Sequence, residues 1–144
     1  MLKVTAQASS NKSMIRKPWK NVSVVDDIIK ESGNVPTFKS SYDIPVDENG
    51  NKESNLKLGK DVHKEYKIDA ENFTTKRKEY TLPSGKRVDF IDFDNKIIYE
   101  LKPNNSTQIR NGTKQLQGYL DEITDLGKID PDWAGEWTTV LDTY

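Results

Sequence analysis

The chain has 144 residues, enough for one domain, and 33% hydrophobic content beside 31% charge limits it to a small core, a compact sheet with two or three covering helices. With no cysteine and a single histidine, disulfides, a cysteine nucleophile and a histidine-rich zinc site are excluded. No apolar run approaches the roughly 20 residues that span a bilayer and residues 1–20 lack a signal-peptide core, so the chain reads as soluble, while its net charge of -1 is unusual for a protein that coats nucleic acid.

Residues 1–18 are polar with little periodicity. Val22, Val25, Ile28 and Ile29 then recur at helical spacing, with Ser23 and Asp26 resembling an N-terminal cap, and predict a short helix over 21–31 ended by Ser32-Gly33-Asn34. The prolines, serines and polar run of 35–55 read as a loop or linker. Residues 1–55 are therefore expected to be a polar extension and 56–144 the core domain. In the core, Leu58, Val62 and Tyr66 give the apolar stripe of a helix over 56–67. Strands follow at 79–82, 87–93 and 96–101, with Asp94-Asn95 as the turn of a hairpin. Ile109, Leu116, Leu120 and Ile123 predict an amphipathic helix over 108–124, capped by Ser106 or Thr107. A last strand covers 137–144.

The hairpin holds the most chemistry. Strand side chains alternate faces, so Glu100 and Lys102 point the same way, and antiparallel pairing can bring Asp89 opposite them. Two carboxylates and an ammonium around one point suit a hard divalent cation that polarises a phosphate and activates water, with Lys102 orienting that water or meeting the charge of the transition state. The Leu101 carbonyl is a possible third ligand. The competing reading is the solvated face of an ordinary hairpin. Gln115 and Tyr119, at i and i+4, share one face of the following helix and can reach the same site; alternatively Gln115 is an exposed helix former and Tyr119 a core-rim aromatic.

In this order, Asp89, Glu100-Leu101-Lys102 and Gln115-Leu116-Gln117-Gly118-Tyr119 resemble the motif aspartate, the E-x-K and the Q-x-x-x-Y of the PD-(D/E)XK nuclease superfamily and its RecB-like branch. Val88 stands where the literal motif has proline, which removes no ligand. The resemblance covers roughly 56–144 and implies an α/β (α+β) fold, a mixed central sheet flanked by helices in α-β-β-β-α-β order. It also implies a further acid from the first helix, for which Glu65 is the candidate, its alternative being a surface glutamate paired with nearby lysines. The scarcity of histidine disfavours nucleases that use a histidine base. His63 on the first helix is either a packed residue or a contact to phosphate or to the site acid.

Lys76, Arg77, Lys78, Lys86, Arg87, Arg110 and Lys114 surround the expected site, whereas acidic residues cluster from Asp121 to Glu136. A local basic surface can hold phosphates in spite of the net charge, and Lys76, Arg77, Lys78, Arg110, Lys114, Tyr119 and His63 are its candidates. Leu58-Gly59 through Tyr66 and the stretch 104–119 also look like the restriction-endonuclease-fold C-terminal toxin domains of contact-dependent growth inhibition and other polymorphic bacterial toxins. That resemblance implies a magnesium-dependent nuclease, with manganese or zinc as alternatives, acting on DNA in preference to tRNA. It further implies delivery as part of a larger secreted or surface toxin into the cytoplasm of a target cell, and neutralisation by a cognate immunity protein. The same fold in restriction, repair or mobile-element processing, or as a non-catalytic binding module, are the alternatives.

Overall fold

The computed structural model describes residues 35–144 and the backbone of three earlier strand segments, β1 (Leu2–Ala6), β2 (Met14–Ile15) and β3 (Lys17–Pro18). The helix expected at 21–31 lies outside the described residues. Helix α1 (Leu56–Glu65) begins where the Asn55 side chain accepts the Leu58 N–H at 2.8 Å. It ends two residues earlier than its periodicity predicts, for a physical reason. The Lys78 ammonium donates to the carbonyls of His63 (2.8 Å), Lys64 (3.1 Å) and Tyr66, a cation on the last turn that satisfies acceptors a longer helix would have bonded itself.

Four strands carry the domain: β4 (Lys76–Thr81), β5 (Arg87–Asp92), β6 (Ile97–Lys102) and β7 (Trp137–Thr143). β4 starts three residues before its predicted position, because a Lys-Arg-Lys run hides an edge strand whose outer side is open to water. The strand order is β3-β2-β1-β7-β6-β5-β4; β4, β5 and β6 pair antiparallel, and β6 and β7 pair parallel. The parallel pair needs a crossover, supplied by helix α2 (Ser106–Gly127), whose N-cap is Asn105, one residue before the expected serine. At the hairpin between β5 and β6 the turn acceptor is the buried Asp92, bonded to the Asn95 N–H at 3.0 Å and Nδ2 at 2.8 Å. The order α-β-β-β-α-β and the mixed sheet are as expected.

The core lies on both faces of the sheet. Beneath α2, Ile98, Ile109, Leu116, Leu120, Ile123 and Trp137 pack together, with Trp133 stacked on Trp137 at 5.8 Å; both tryptophans are structural and unavailable to stack on bases. Beneath α1, Val62, Tyr66, Phe90, Leu101 and Tyr144 form the second cluster. Glu100 and Lys102 thus stand on the α2 side of β6, and Leu101 on the α1 side.

Residues 37–55 lie against this second cluster. Thr37 and Phe38 donate their N–H groups to the Thr143 carbonyl at 3.0 and 2.8 Å, and Phe38 meets the Tyr66 ring edge-on at 5.2 Å. The Tyr66 hydroxyl donates to buried Asp142 at 2.6 Å, and the Thr37 hydroxyl donates to the same carboxylate at 3.1 Å. Burial and the Asp142 charge push the Tyr66 phenol far up from its ordinary range. Tyr66→Phe removes a charge-assisted bond and leaves the carboxylate short of a donor. It is expected to lower stability by about 2 kcal/mol in urea titrations; an unchanged midpoint would show that Asp142 is solvated without it. Among the described residues no helix is long and apolar enough to cross a membrane.

Candidate active site

Regular pairing between β4 and β5 runs from Lys76↔Asp92 to Lys78↔Phe90, skips the position where Glu79 faces Asp89, and resumes at Tyr80↔Val88. Glu79 has φ 49, a left-handed conformation that costs a non-glycine residue about 1 kcal/mol or more and tends to occur at functional sites. The distortion turns β5 over: Val88 and Ile91 pack beneath α2, whereas Phe90 packs beneath α1. Asp89 sits at the changeover. Its Oδ2 accepts the Leu101 N–H of β6 at 2.7 Å and stands 3.3 Å from His63 Nε2 of α1. The carboxylate therefore joins both layers of the fold.

Glu100 lies beside it, only 3% exposed. Burial lifts its carboxyl well above the ordinary range, and a hydrogen bond to Asp89 and the Asp89 charge lift it further, against Lys102 and Tyr119. Asp89 moves the other way, to about 2. Burial opposes that shift but is outweighed by hydrogen bonds from His63 and Glu100, the His63 charge and the Leu101 amide. The two acids titrate as a pair in which Glu100 holds a proton more tightly and Asp89 releases one more readily than an isolated carboxyl. Burial pulls the His63 imidazole down, yet the bond and charge of Asp89 and the Gly59 carbonyl raise it overall. Glu100 Oε2 is buried with no hydrogen-bond partner, a costly arrangement for a carboxylate unless a ligand completes it.

Lys102 reaches the same end of β6 along α2. A β-carbon at Gly112 would stand 2.8 Å from Lys102 Cγ, so the glycine leaves room for the lysine stem. Asp89 opens onto a cleft of about 770 Å³ between α1 and the start of α2, with Glu100 buried behind it. Lys60, His63 and Lys64 form its α1 wall; Glu79, Arg87 and Asp89 form its floor.

A profile of the family described as restriction endonuclease fold toxin 9 matches residues 51–144. The chain belongs to that family. Comparisons with curated proteins and with solved structures found no match. Membership in this toxin family supports a nuclease as the activity and a nucleic acid as the substrate.

Within the toxin domain the structure brings together Asp89, Glu100, Lys102 and His63. Gln115 is exposed, between Gly112 and Tyr119 on the α2 face that meets the site. Other expected residues are engaged elsewhere. Glu65 points to the opposite flank of α1, where it accepts bonds from the Ser40 hydroxyl and from the Ser41 N–H (3.0 Å) and hydroxyl (2.7 Å); the helix presents His63 to the site instead. Lys78 caps α1, Lys76 pairs with Asp94 at 3.0 Å, and the Arg77 guanidinium lies 5.9 Å from the Tyr80 ring. Tyr119 is buried and donates its hydroxyl to the Arg87 carbonyl at 3.0 Å, so it buttresses the site and offers no ring to a base. Arg110 and Lys114 are exposed on α2 and do not line the cleft. Lys60 and Lys64, three residues before His63 and one after it and i, i+4 to each other on α1, were missed, as was Glu79.

Restriction-endonuclease-like nucleases generally use divalent metals, and the donors here fit one in part. Among the described residues no three His, Asp or Glu side chains are gathered as a ready-made cluster. The unpartnered Oε2 of Glu100 beside an ionised Asp89 is nevertheless the donor pair a cation would complete.

Proposed function

We propose that the chain is a metal-dependent endonuclease used as a bacterial antagonism toxin domain, cutting DNA in preference to tRNA. The observation that carries this reading is the Asp89–Glu100 pair, in which the buried Oε2 of Glu100 has no partner and Asp89 opens onto a basic cleft. Asp89, Glu100 and the Leu101 carbonyl would hold the ion. When bound, it supplies Lewis-acid polarisation of the phosphate and a nucleophilic water at neutral pH.

The chain's own residues do the rest. Lys60, Lys64 and Arg87 hold backbone phosphates in the cleft by charge. Lys102 presents its ammonium to the attacking water and to the phosphate oxygen on which negative charge grows. Gln115 orients the scissile group from α2. Tyr119 fixes the β5 backbone at Arg87 and so keeps Asp89 in place. DNA is preferred because it is the usual substrate of the superfamily the motifs resemble. A nuclease of this kind is dangerous to the cell that makes it, so a cognate immunity protein binding over or beside the cleft is part of the proposal, as is delivery within a larger toxin to the target-cell cytoplasm.

The test is incubation of purified protein with plasmid DNA and with total tRNA, in magnesium, manganese, zinc or EDTA, beside Lys102→Ala. Cleavage of plasmid that EDTA stops, reduced at least about 100-fold in Lys102→Ala, is the expected result. Cleavage of tRNA alone would reverse the substrate assignment. Unaltered cutting by Lys102→Ala would overturn the mechanism.

A further inference from the structure

Helix α1 carries a glycine that its own packing does not require. Gly59 lies inside the helix, its N–H bonded to the Asn55 carbonyl at 2.9 Å. Its backbone is ordinary helix, outside the left-handed region that Gly50, Gly85 and Gly135 occupy, so the conformation does not call for glycine. Neither do the neighbours. A β-carbon at Gly59 would stand 3.5 Å from Ser54 Oγ and 3.7 Å from Tyr144 Oη, ordinary contact distances. Glycine is nonetheless the least favourable helix residue after proline, and where neither strain nor crowding explains it, close approach of a ligand to the backbone does. The hollow it leaves belongs to the cleft.

The groups around that hollow are donors. The Tyr144 hydroxyl donates to Ser54 Oγ at 2.9 Å, which leaves the Ser54 proton to turn elsewhere. It reaches the Asn55 carbonyl only at 3.3 Å, longer than a well-formed O–H···O bond, so a stronger acceptor in the cleft would take it. Asn55 spends its Oδ1 on the Leu58 N–H at 2.8 Å and keeps its amide hydrogens to give. Lys60, the next residue after Gly59, adds an ammonium to the same wall, and the first turn of α1 holds no acid to oppose it. A hydroxyl, an amide and an ammonium beside a bare stretch of helix suit an anion with several acceptor oxygens. The position fits as well. Gly59 lies four residues before His63, about 6 Å along the helix axis, and His63 Nε2 is 3.3 Å from Asp89 Oδ2. That step is comparable with the reach from one phosphate to the next along a strand.

We propose that the hollow over Gly59 is a second phosphate seat, which holds the backbone phosphate next to the scissile one between Ser54, Asn55 and Lys60. The inference rests on the nuclease reading above and deepens it: a strand gripped at two successive phosphates has its scissile bond set in register with Asp89.

Gly59→Ala fills the hollow with one methyl group and alters no acid or lysine. Thermal melts of the variant and the unaltered chain are run beside steady-state cleavage of plasmid DNA and of tRNA in magnesium, over a series of salt concentrations. The expected result combines opposite signs. The variant melts higher, since alanine fits and is the better helix former, while KM rises at least about tenfold with kcat little changed. The slope of log kcat/KM against log salt falls in magnitude by about 0.7–0.9, the share of one phosphate. The substrate that shows the effect names the strand whose phosphate is held. An unchanged KM in a variant that melts higher would overturn the seat and leave the nuclease standing. A raised KM with an unchanged salt slope would mean that the methyl excludes an uncharged part of the substrate, and a variant that melts lower would mean that Gly59 serves packing; either overturns the seat. No cleavage of DNA or tRNA by the unaltered chain would overturn the nuclease reading itself, and the seat with it.

Discussion

Glu100→Gln is expected to abolish cleavage and, at neutral pH, to raise the melting temperature. Both effects come from one carboxyl. Glu100 is buried against ionised Asp89, so its folded-state pKa lies well above the unfolded value. A carboxyl raised in this way contributes nothing against folding while both states hold the proton. It destabilises the fold increasingly as pH rises from the unfolded pKa toward the folded one, because only the unfolded chain gains by releasing its proton. Glutamine keeps the shape and a donor for Asp89 but has no proton to lose. The gain should therefore be absent near pH 4 and present at pH 7.5. Asp89 works in the opposite sense: its contribution is present above the usual carboxylate pKa and is lost as pH falls through about 2. Thermal melts of both proteins at pH 4 and pH 7.5 without added metal, beside a plasmid cleavage assay, measure all of this. A variant less stable than the parent at pH 7.5 would mean that the acid pair is not strained.

The same pair shows what the sequence made legible. Glu100 and Lys102 lie on one strand, where a period of two puts them on the same face, and Asp89 lies on the adjacent strand at the point where that period breaks. The crossover helix announced itself by its apolar spacing. What failed depended on contacts far apart in sequence. The stripe Leu58, Val62 and Tyr66 fixes which face of α1 is buried, but either flank could border the site; Glu65 lies on one and His63 on the other. Which flank wins is set by how α1 crosses the sheet, and Ser40 and Ser41, more than twenty residues earlier, then claim the glutamate. The basic run Lys76-Arg77-Lys78 looked like a phosphate surface because nothing local reveals that Lys78 closes the end of a helix that finishes eleven residues before the strand begins. Tyr119 was placed on the right helix face, but its burial depends on the β5 backbone beneath it.

Gly112→Ala should remove most of the activity without touching an acid, a lysine or the cleft. Glycine in the middle of a 22-residue helix is unfavourable by about 1 kcal/mol relative to alanine, so its presence in α2 calls for a packing reason. A β-carbon there would stand 2.7 Å from Leu141 Cδ1 and 2.8 Å from Lys102 Cγ. Leu141 is locked in the core of β7, and Lys102 Cγ is too near its own backbone to swing aside, so relief must shift the lysine stem or part the helix from the sheet. Overpacking of this kind costs about 1–3 kcal/mol, and a displacement of about 1 Å in a catalytic group costs on the order of 100-fold in rate. The expected result is a fall of that size in kcat, with affinity for nucleic acid little changed, since Lys60, Lys64 and Arg87 line the cleft from α1 and β5. Gly118→Ala on the same helix is the matched control. Its β-carbon would meet only the mobile Lys86 ammonium at 3.4 Å, so the substitution should gain helix stability and leave cleavage intact. If folded Gly112→Ala cuts as fast as Gly118→Ala, the position of Lys102 against α2 is not what sets the rate, and the catalytic ammonium must be sought on the cleft wall at Lys60 or Lys64.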